Sequence, residues 1–456
     1  MARIRNVVLL FTLLVLGYGC VTPTTITPTV ITPAITLTRT VPTITPIIVP
    51  PVITGDVYYL TSTGDDSNPG TFVKPWQTMN KAMDTLQAGD VLYVRGGQYD
   101  GVVTGWSFKN SGTQAEPITV TNYPGEQVVF QITTVAYDDR YIFRCWINPR
   151  GADSAQTTKA DYIRIVGSDV APRPLTNGVK SQKGIVMQGL VGEQAPAIIA
   201  SDCDHWEVAG VDFVDVAYGI FTKKHNWATM EEHSTDYWHV HDNRVYGYYR
   251  ESGMQFNGNF NLIENNVIYK VNDRLDTPYG CQLLNLLGSN NVVRGNTLSR
   301  LGSAAECIGI LFEWDLADRN LIENNIISDV PTGIGIQGGD GNIIKNNRIT
   351  ATVNDGGVGV RVASYDGRTT WPCNEPEIIL PANDKAHPEY DYYYPNDCHS
   401  KNNWIQGNSI SGFKRAWVMS PVADESNIFL DNVIAYLNYI PALLLTALLF
   451  CCAFWI

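Results

Sequence analysis

Short runs of alternating apolar and polar residues recur through the second half of the chain, each opened by an asparagine or a glycine. Asn265-Asn266-Val267-Ile268, Gly295-Asn296-Thr297-Leu298, Asn324-Asn325-Ile326-Ile327, Asn346-Asn347-Arg348-Ile349, Gly407-Asn408-Ser409-Ile410 and Asp431-Asn432-Val433-Ile434 share one phrase. Their second asparagines lie 30, 29, 22, 61 and 24 residues apart. All but one step fall in the window of roughly 20 to 50 residues that marks a solenoid. An asparagine followed by an apolar-x-apolar strand predicts a parallel β-helix, in which each asparagine turns a corner and ladders its amide onto the next coil.

A second phrase sits between the asparagine turns. Gly253-Met254-Gln255, Gly280-Cys281-Gln282, Gly309-Ile310-Leu311, Gly335-Ile336-Gln337 and Gly359-Val360-Arg361 recur at steps of 27, 29, 26 and 24. Each is expected to open a strand with period-two alternation. Met254, Cys281, Ile310, Ile336 and Val360 then face inward. Gln255, Gln282, Leu311, Gln337 and Arg361 form one outward column on which a long ligand can lie, although any β-helix has such columns. Ile163–Gly167, Trp206–Gly210 and Trp238–Asp242 read as equivalent strands of less regular coils. Trp76, Met79, Ala82, Met83 and Leu86 have helical spacing, so 77–87 is expected to be a short amphipathic helix capping the open end of the solenoid ahead of a first core strand at Val91–Val94.

Composition agrees with one elongated β domain. The 456 residues include 39 Gly, 23 Tyr and 11 Trp with 17% charged residues, which suits short strands and turns. The formal charge of −13, without any dense Lys/Arg run, argues against nucleic acid as a partner. Arg3 and Arg5 precede the apolar run Val7–Leu16, so residues 1–20 read as a signal peptide. Cys20 resembles the lipid-accepting cysteine of a bacterial lipoprotein, with Gly17 standing where such motifs usually carry Leu. Lipid attachment, an uncleaved anchor and plain secretion are the three outcomes. Residues 21–54 are a Thr/Pro-rich stalk, 55–437 the β-helix with a long insertion at 364–401, and 438–456 an apolar tail. That tail is slightly short of the roughly 20 residues that span a bilayer. It reads as a membrane tail, a signal removed on surface attachment, or the end of a shifted reading frame.

Between Asp56 and Phe130 the chain carries Tyr58-Tyr59-Leu60-Thr61-Ser62-Thr63-Gly64-Asp65-Asp66-Ser67-Asn68-Pro69-Gly70-Thr71, Pro75-Trp76-Gln77-Thr78, Ala88-Gly89-Asp90-Val91-Leu92-Tyr93-Val94-Arg95-Gly96-Gly97-Gln98-Tyr99 and Pro117-Ile118-Thr119-Val120-Thr121-Asn122-Tyr123-Pro124-Gly125-Glu126. This resembles the opening of secreted bacterial right-handed parallel β-helix proteins of the pectate-lyase-like superfamily, close to polysaccharide lyases. The resemblance implies an all-β, right-handed, single-stranded parallel β-helix over about Asp56 to Val433. The same opening occurs on lyases, hydrolases and epimerases, so it specifies fold more than reaction.

The chemistry this resemblance implies is β-elimination on a uronic acid polymer, which needs a base at C5 and a cation on the carboxylate. Register places Lys223 outward in a column with Asn257, Leu284 and Glu313. Arg250 and Glu251 precede the next strand, and Asp273 and Asp276 follow the next turn. Lys223 or Arg250 as base, with Glu251, Asp273 and Asp276 on calcium, is the expected site; solvated salt bridges are the plain alternative for the same residues. Gln255, Gln282, Glu313, Gln337, Arg361 and Trp371 are the expected polysaccharide contacts. A glycoside hydrolase would use a carboxylate pair such as Glu313 and Asp315, roughly 6 to 7 Å apart on one strand. A noncatalytic glycan-binding or adhesive solenoid is the third class.

Two further inserts carry candidate chemistry. His225 to Tyr237 holds His225, Trp227, Glu231, Glu232 and His233. Trp371, Tyr390, Tyr392, Tyr393 and Tyr394 either stack sugar rings or pack the long insertion itself. Cys373 and Cys398 are expected to staple that insertion, whereas Cys281 and Cys307 are expected to be two buried thiols. His239 and His241, two apart on a strand, can share a face but lack a third metal ligand. The domain is expected to be an exported, surface-tethered monomer.

Overall fold

The computed structural model describes residues 53–101, 105–132, 141–145, 159–174, 180–189, 196–223, 235–247, 252–270, 281–300, 307–313, 317–351, 357–363, 400–419 and 426–435, together with the paired strands Ile378–Ile379 and Tyr393–Tyr394. These residues wind into three long parallel sheets. Sheet I has 12 strands, from Val57–Leu60 to Ile428–Leu430; sheet II has 11, from Gly97–Asp100 to Val433–Ala435; sheet III has 9, from Phe143–Cys145 to Arg415–Met419. A regular coil visits them in that order, as Leu262–Glu264, Val267–Lys270 and Gln282–Leu286 do before Val292–Arg294 starts the next. The strands expected at 163–167, 206–210 and 238–242 are successive members of sheet I.

Alternation decides what is buried. On sheet I the inward column runs through Leu92, Val120, Ile165, Val208, Val240, Ile263, Val293, Ile322, Ile344 and Ile405, every one with no exposed surface. Apart from Leu92 the column is Val and Ile, so β-branched side chains of similar shape stack coil on coil. The first sheet I strand is Val57–Leu60, one coil earlier than the expected Val91–Val94, with which it pairs residue for residue. The helix is also shorter than expected, Met79–Thr85. Thr78 caps it by accepting from the Lys81 N–H at 3.2 Å, and Met79, Ala82 and Met83 bury its apolar stripe in the core.

Asparagine ladders hold two of the three corners. Between sheets I and II, Asn243, Asn266, Asn296, Asn325, Asn347, Asn408 and Asn432 stack coil on coil. Each side-chain oxygen accepts from the amide N–H and the side-chain NH2 of the asparagine before it, as Asn325 does from Asn296 at 2.9 and 3.0 Å. The residue ahead is left-handed: Asn265, Asn324 and Asn346 have φ of 56°, and Gly295 and Gly407 take 65° and 63°. Asparagine and glycine accept that conformation at little cost. A second ladder, Asn261, Asn291, Asn320, Asn342, Asn403 and Asn427, turns sheet III into sheet I.

Two expected details are corrected. Gln255, Leu311 and Arg361 do share one column, but its other members are Asn285 and Gly335. Gln282 instead pairs with Ser252 and Ile308, and Gln337 with Glu313. The equivalent glycine of that coil is Gly333, whose Cβ would strike the Gly359 carbonyl; Gly335 lies two residues on, and a shift of two preserves inside and outside, so alternation alone does not expose the error. Cys281 and Cys307 form a disulfide with Cα atoms 4.5 Å apart rather than remaining thiols. Gln282 opposite Ile308 puts the preceding cysteines directly above one another, one coil apart. Cys145 and Cys203 form a second bridge. Cys373 and Cys398 lie outside the described residues.

Asn325→Ala is expected to cost about 3 kcal/mol, because it strands the Asn296 donors and the Val293 carbonyl in the interior. Asn324→Gly, at the exposed left-handed position beside it, should change stability by no more than about 0.5 kcal/mol. Urea midpoints measure both, and equal midpoints for the two variants would contradict the ladder's role.

Candidate functional site

The spacing of the coils singles out one face. Sheets I and II are joined by two residues in coil after coil, as from Glu264 to Val267, Arg294 to Thr297, Glu323 to Ile326 and Lys345 to Arg348. Every long insertion from residue 224 onward instead adjoins a sheet III strand in sequence, including 224–234, 248–251, 271–280, 301–306 and 364–399. A rigid sheet flanked by variable segments is where a solenoid builds its binding surface.

The outer side of sheet III carries a row of amides and one carboxyl. Gln255 donates from its side chain to Asn257 at 3.2 Å, and the Asn257 N–H donates to the Thr222 hydroxyl at 2.8 Å. Asn285, in register between Gln255 and Leu311, donates to a Glu313 carboxylate oxygen at 2.7 Å. Burial pushes the Glu313 carboxyl up, and the Asn285 hydrogen bond offsets only part of that effect. Gln337 is its neighbour on the next coil. Gln255, Gln282, Asn285 and Leu311 are buried, Gln337 is half-buried and Arg361 is exposed, so the row is not the open flat column that alternation suggested.

Lys223 ends the strand Ile220–Lys223, in register with Ser201, and its side chain lies outside the described residues. Leu284 does not share an outward column with it. Leu284 pairs with Met254 and Ile310 in the core, because Leu287 is the residue that follows Leu286 into Glu313's register. Arg250, Glu251, Asp273, Asp276, Asp315 and Trp371 lie outside the described residues, as do His225, Trp227, Glu231, Glu232 and His233. Among the described residues no group of three or more His, Cys, Asp or Glu side chains is arranged to hold a metal ion.

Sheet I offers charge of another kind. Arg164 grips Glu207 through Nε at 2.6 Å and Nη2 at 3.0 Å, and His241 reaches the same carboxylate at 3.4 Å and Asp242 at 2.7 Å. His239 meets Glu264 at 2.9 Å, and Arg294 holds the other oxygen of Glu264 at 2.7 Å. The two imidazoles do share a face, with ring centroids 4.0 Å apart, but carboxylates occupy both. Burial and the neighbouring His241 push His239 down; for His241, the carboxylates of Glu207 and Asp242 outweigh burial and push it up. Burial alone would raise Glu207, yet His241 and Arg164 hold it at about 2.

Sequence reasoning missed Asn285, which differs from the glutamines of the misaligned column, and Lys270. The latter is buried at the end of Val267–Lys270, on the inward parity of Ile268, and burial lowers its pKa to about 8. It also missed a file of rings on left-handed residues at the sheet III to sheet I corner, Tyr162, His205, Tyr237 and Phe260, with centroids 4.3, 4.9 and 5.2 Å apart and nearly parallel planes. Their inner faces stack on one another and are unavailable to a sugar.

With this geometry in hand, two family models match: one for a Pel9A-like right-handed β-helix region over residues 58–189, and one for a right-handed β-helix region over 196–374. The chain has a right-handed parallel β-helix fold of the pectate-lyase-like kind. It is 38% identical over 82 residues to the uncharacterized protein YwoF of Bacillus subtilis (strain 168), a stretch covering 18% of this chain and 17% of that protein. It is 34% identical over 71 residues to the pectate lyase PEL9 of Emericella nidulans, covering 16% of this chain and 17% of the relative. The matched stretches thus span under a fifth of either relative. Similar solved structures include a complex of XylC with xylose (TM-score 0.47, 12% identity, 83% of this chain and 86% of that one) and pectate lyase Pel9A (0.41, 13%, 82% and 80%). Another is the A-module of the Azotobacter vinelandii mannuronan C-5 epimerase AlgE6 (0.44, 13%, 76% and 86%).

The Glu207 cluster has a definite pH signature. A carboxyl depressed from 4.5 to about 2 stabilises the fold above its ordinary value, and that contribution disappears as pH falls through 4.5 toward 2. Glu207→Gln is expected to lose on the order of 2 kcal/mol at pH 7 and to converge with the unaltered protein near pH 2. A denaturation series across pH checks this, and a pH-independent difference would contradict it.

Proposed function

We propose that the protein is an exported, surface-tethered, monomeric lyase that cleaves a uronate-containing polysaccharide by β-elimination on the outer face of sheet III. The observation that carries the reading is the row of amides on that face together with the long insertions that adjoin it from residue 224 onward, where sheets I and II are joined by short turns. The Pel9A-like region and the stretch similar to a pectate lyase support it. Two disulfides support an oxidising compartment, as the signal-like residues 1–20 do. Tethering through Cys20, an N-terminal anchor or the tail at 438–456 belongs to the same proposal and rests on sequence. Among the described residues no helix is long and apolar enough to cross a membrane.

In this reading Lys223 or Arg250 takes the C5 proton. The electron pair left behind forms the C4–C5 double bond, the C4–O4 glycosidic bond breaks, and the leaving oxygen takes a proton from solvent. Glu251, Asp273 and Asp276 are the carboxylates assigned to calcium, whose charge, when bound, acidifies the C5 proton. Gln255, Gln282, Glu313, Gln337, Arg361 and Trp371 are assigned to the polymer, the buried members of the set acting as support beneath it.

One observation favours a second reading. Glu313 is a carboxyl raised by burial and held by Asn285, which suits a general acid of a glycoside hydrolase. Incubation with pectate, alginate, heparinoid and chondroitin polymers, with and without calcium, separates the two. The lyase is expected to raise ultraviolet absorbance from unsaturated uronate ends, with the signal dependent on calcium. Lys223→Ala or Arg250→Ala should lower the rate by about 10²- to 10⁴-fold. New reducing ends without that absorbance, abolished in Glu313→Gln, would replace the lyase by the hydrolase. Binding with neither product would leave an adhesive solenoid.

A further inference from the structure

The corner between sheets I and II is expanded far beyond its usual length at one place among the described coils. There the chain leaves the solenoid in a pair of antiparallel strands, Asp169–Pro174 against Lys180–Lys183. Its root is fastened. The Gly184 N–H donates to the Ser168 carbonyl at 2.7 Å, the Ser168 N–H donates to the Asn122 side-chain oxygen at 2.8 Å, and Gln127 donates to the Lys183 carbonyl at 3.0 Å. Arg244, from a later coil, props the second strand by donating to the Lys180 carbonyl at 3.0 Å. Between the hairpin and the outer face of sheet II lies a cleft of about 530 Å³, bounded by Pro172 and Val267 as well as by polar side chains.

Charge inside the cleft is unevenly committed. Asp212, with its side chain 1% exposed, is neutralised by Arg244 through Nε at 3.1 Å and Nη2 at 2.6 Å. Asp242 is engaged by His241. Of the remaining lining residues, Gln182 is neutral and Lys180 and Lys183 are cationic. Among the described residues Lys183 pairs with Asp169, whose side chain is 76% exposed, and such a surface pair is weak enough to exchange for another anion. A chain of net charge −13 therefore lines this cleft, under the hairpin, with two lysines, one of them in an exchangeable surface pair, beside a guanidinium already paired with Asp212 and an apolar strip.

We propose that this cleft is a second binding site, on the sheet II face, for a carboxylate-bearing saccharide. Lys180 and Lys183 pair with uronate carboxylates, Gln182 takes ring hydroxyls, and Pro172 and Val267 meet the C–H face of the sugar. The site holds the polymer apart from the sheet III face, where chemistry is proposed, so it rests on the reading of the substrate as an acidic polysaccharide.

Titration calorimetry of the full chain with a galacturonate trisaccharide, and with a neutral galactose trisaccharide as control, tests it. Lys180→Glu combined with Lys183→Glu is expected to weaken galacturonate binding at one site about tenfold or more, and Lys180→Arg with Lys183→Arg to retain it. Galacturonate binding unchanged in the glutamate variant, or equal binding of the neutral trisaccharide, overturns the proposal. Acidic oligosaccharide binding lost in that variant, in a protein that yields no unsaturated ends, sinks the lyase reading and leaves the cleft standing. Unsaturated ends produced while the variant binds as the unaltered protein does sink the cleft alone.

Discussion

Buried asparagine amides hold this molecule together. A parallel solenoid must turn its chain at every corner, and each turn takes backbone donors and acceptors out of a strand ladder and into the interior. The ladder through Asn266, Asn296, Asn325 and Asn347 satisfies these groups: each side chain accepts from the coil behind and donates both to the next asparagine and to a sheet I strand carbonyl of the preceding coil, Ile263 for Asn296 and Val293 for Asn325. A buried amide left without partners would cost more than a typical hydrogen bond contributes, so one broken rung penalises both neighbours. The two-residue turn between sheets I and II follows from this requirement, because a longer turn would carry the amide out of line.

That constraint also decides where the fold can vary. With the sheet I to sheet II corner committed to the ladder from residue 206 onward, extra residues fall next to sheet III, before its strands at 248–251, 271–280 and 301–306 and after them at 224–234 and 364–399. The antiparallel pair Asp169–Pro174 and Lys180–Lys183 departs from the rule, and there Asn122 still bonds Ser168 at the root of the insertion, preserving the turn while the chain makes its excursion. The disulfide between Cys281 and Cys307 joins residues that each immediately precede a sheet III strand, so a covalent tie supplements the backbone ladder where the long insertions 271–280 and 301–306 end.

The winding was legible in the chain because its cause is local: Asn265-Asn266-Val267-Ile268 contains the left-handed residue, the ladder amide and the first strand residues in four consecutive letters. The second ladder leaves an equally regular trace, Asn261, Asn291 and Asn320 each five residues before a member of the first. Sheet III was harder. Its strands follow insertions of unequal length, so no constant spacing fixes their register, and Gly333-Ile334-Gly335-Ile336 offers two alignments of the same parity. The Asn285–Glu313 contact was invisible for the same reason: the two residues are 28 positions apart and meet only when Gln282 is paired with Ile308.

The outer faces of sheets I and III differ in what they leave for a ligand. On sheet I, Arg164, Glu207 and His241 form one closed set, His239, Glu264 and Arg294 a second, and Lys345 pairs with Glu323 at 3.2 Å. These groups are partly buried and spend their charge on one another, so an incoming sugar would have to break a satisfied pair and leave its partner stranded. Sheet III carries Gln255, Asn257 and Asn285, buried neutral groups that leave no charge to neutralise beneath that face, and a Glu313 carboxyl that burial keeps closer to its neutral form. The dense run of ionisable side chains on sheet I is thus less available to a ligand than its charge suggests, and the binding face proposed for this solenoid is the one with the sparser row of amides. The charges of sheet I are committed to one another, whereas the long insertions from residue 224 onward gather at sheet III, the face on which binding is proposed.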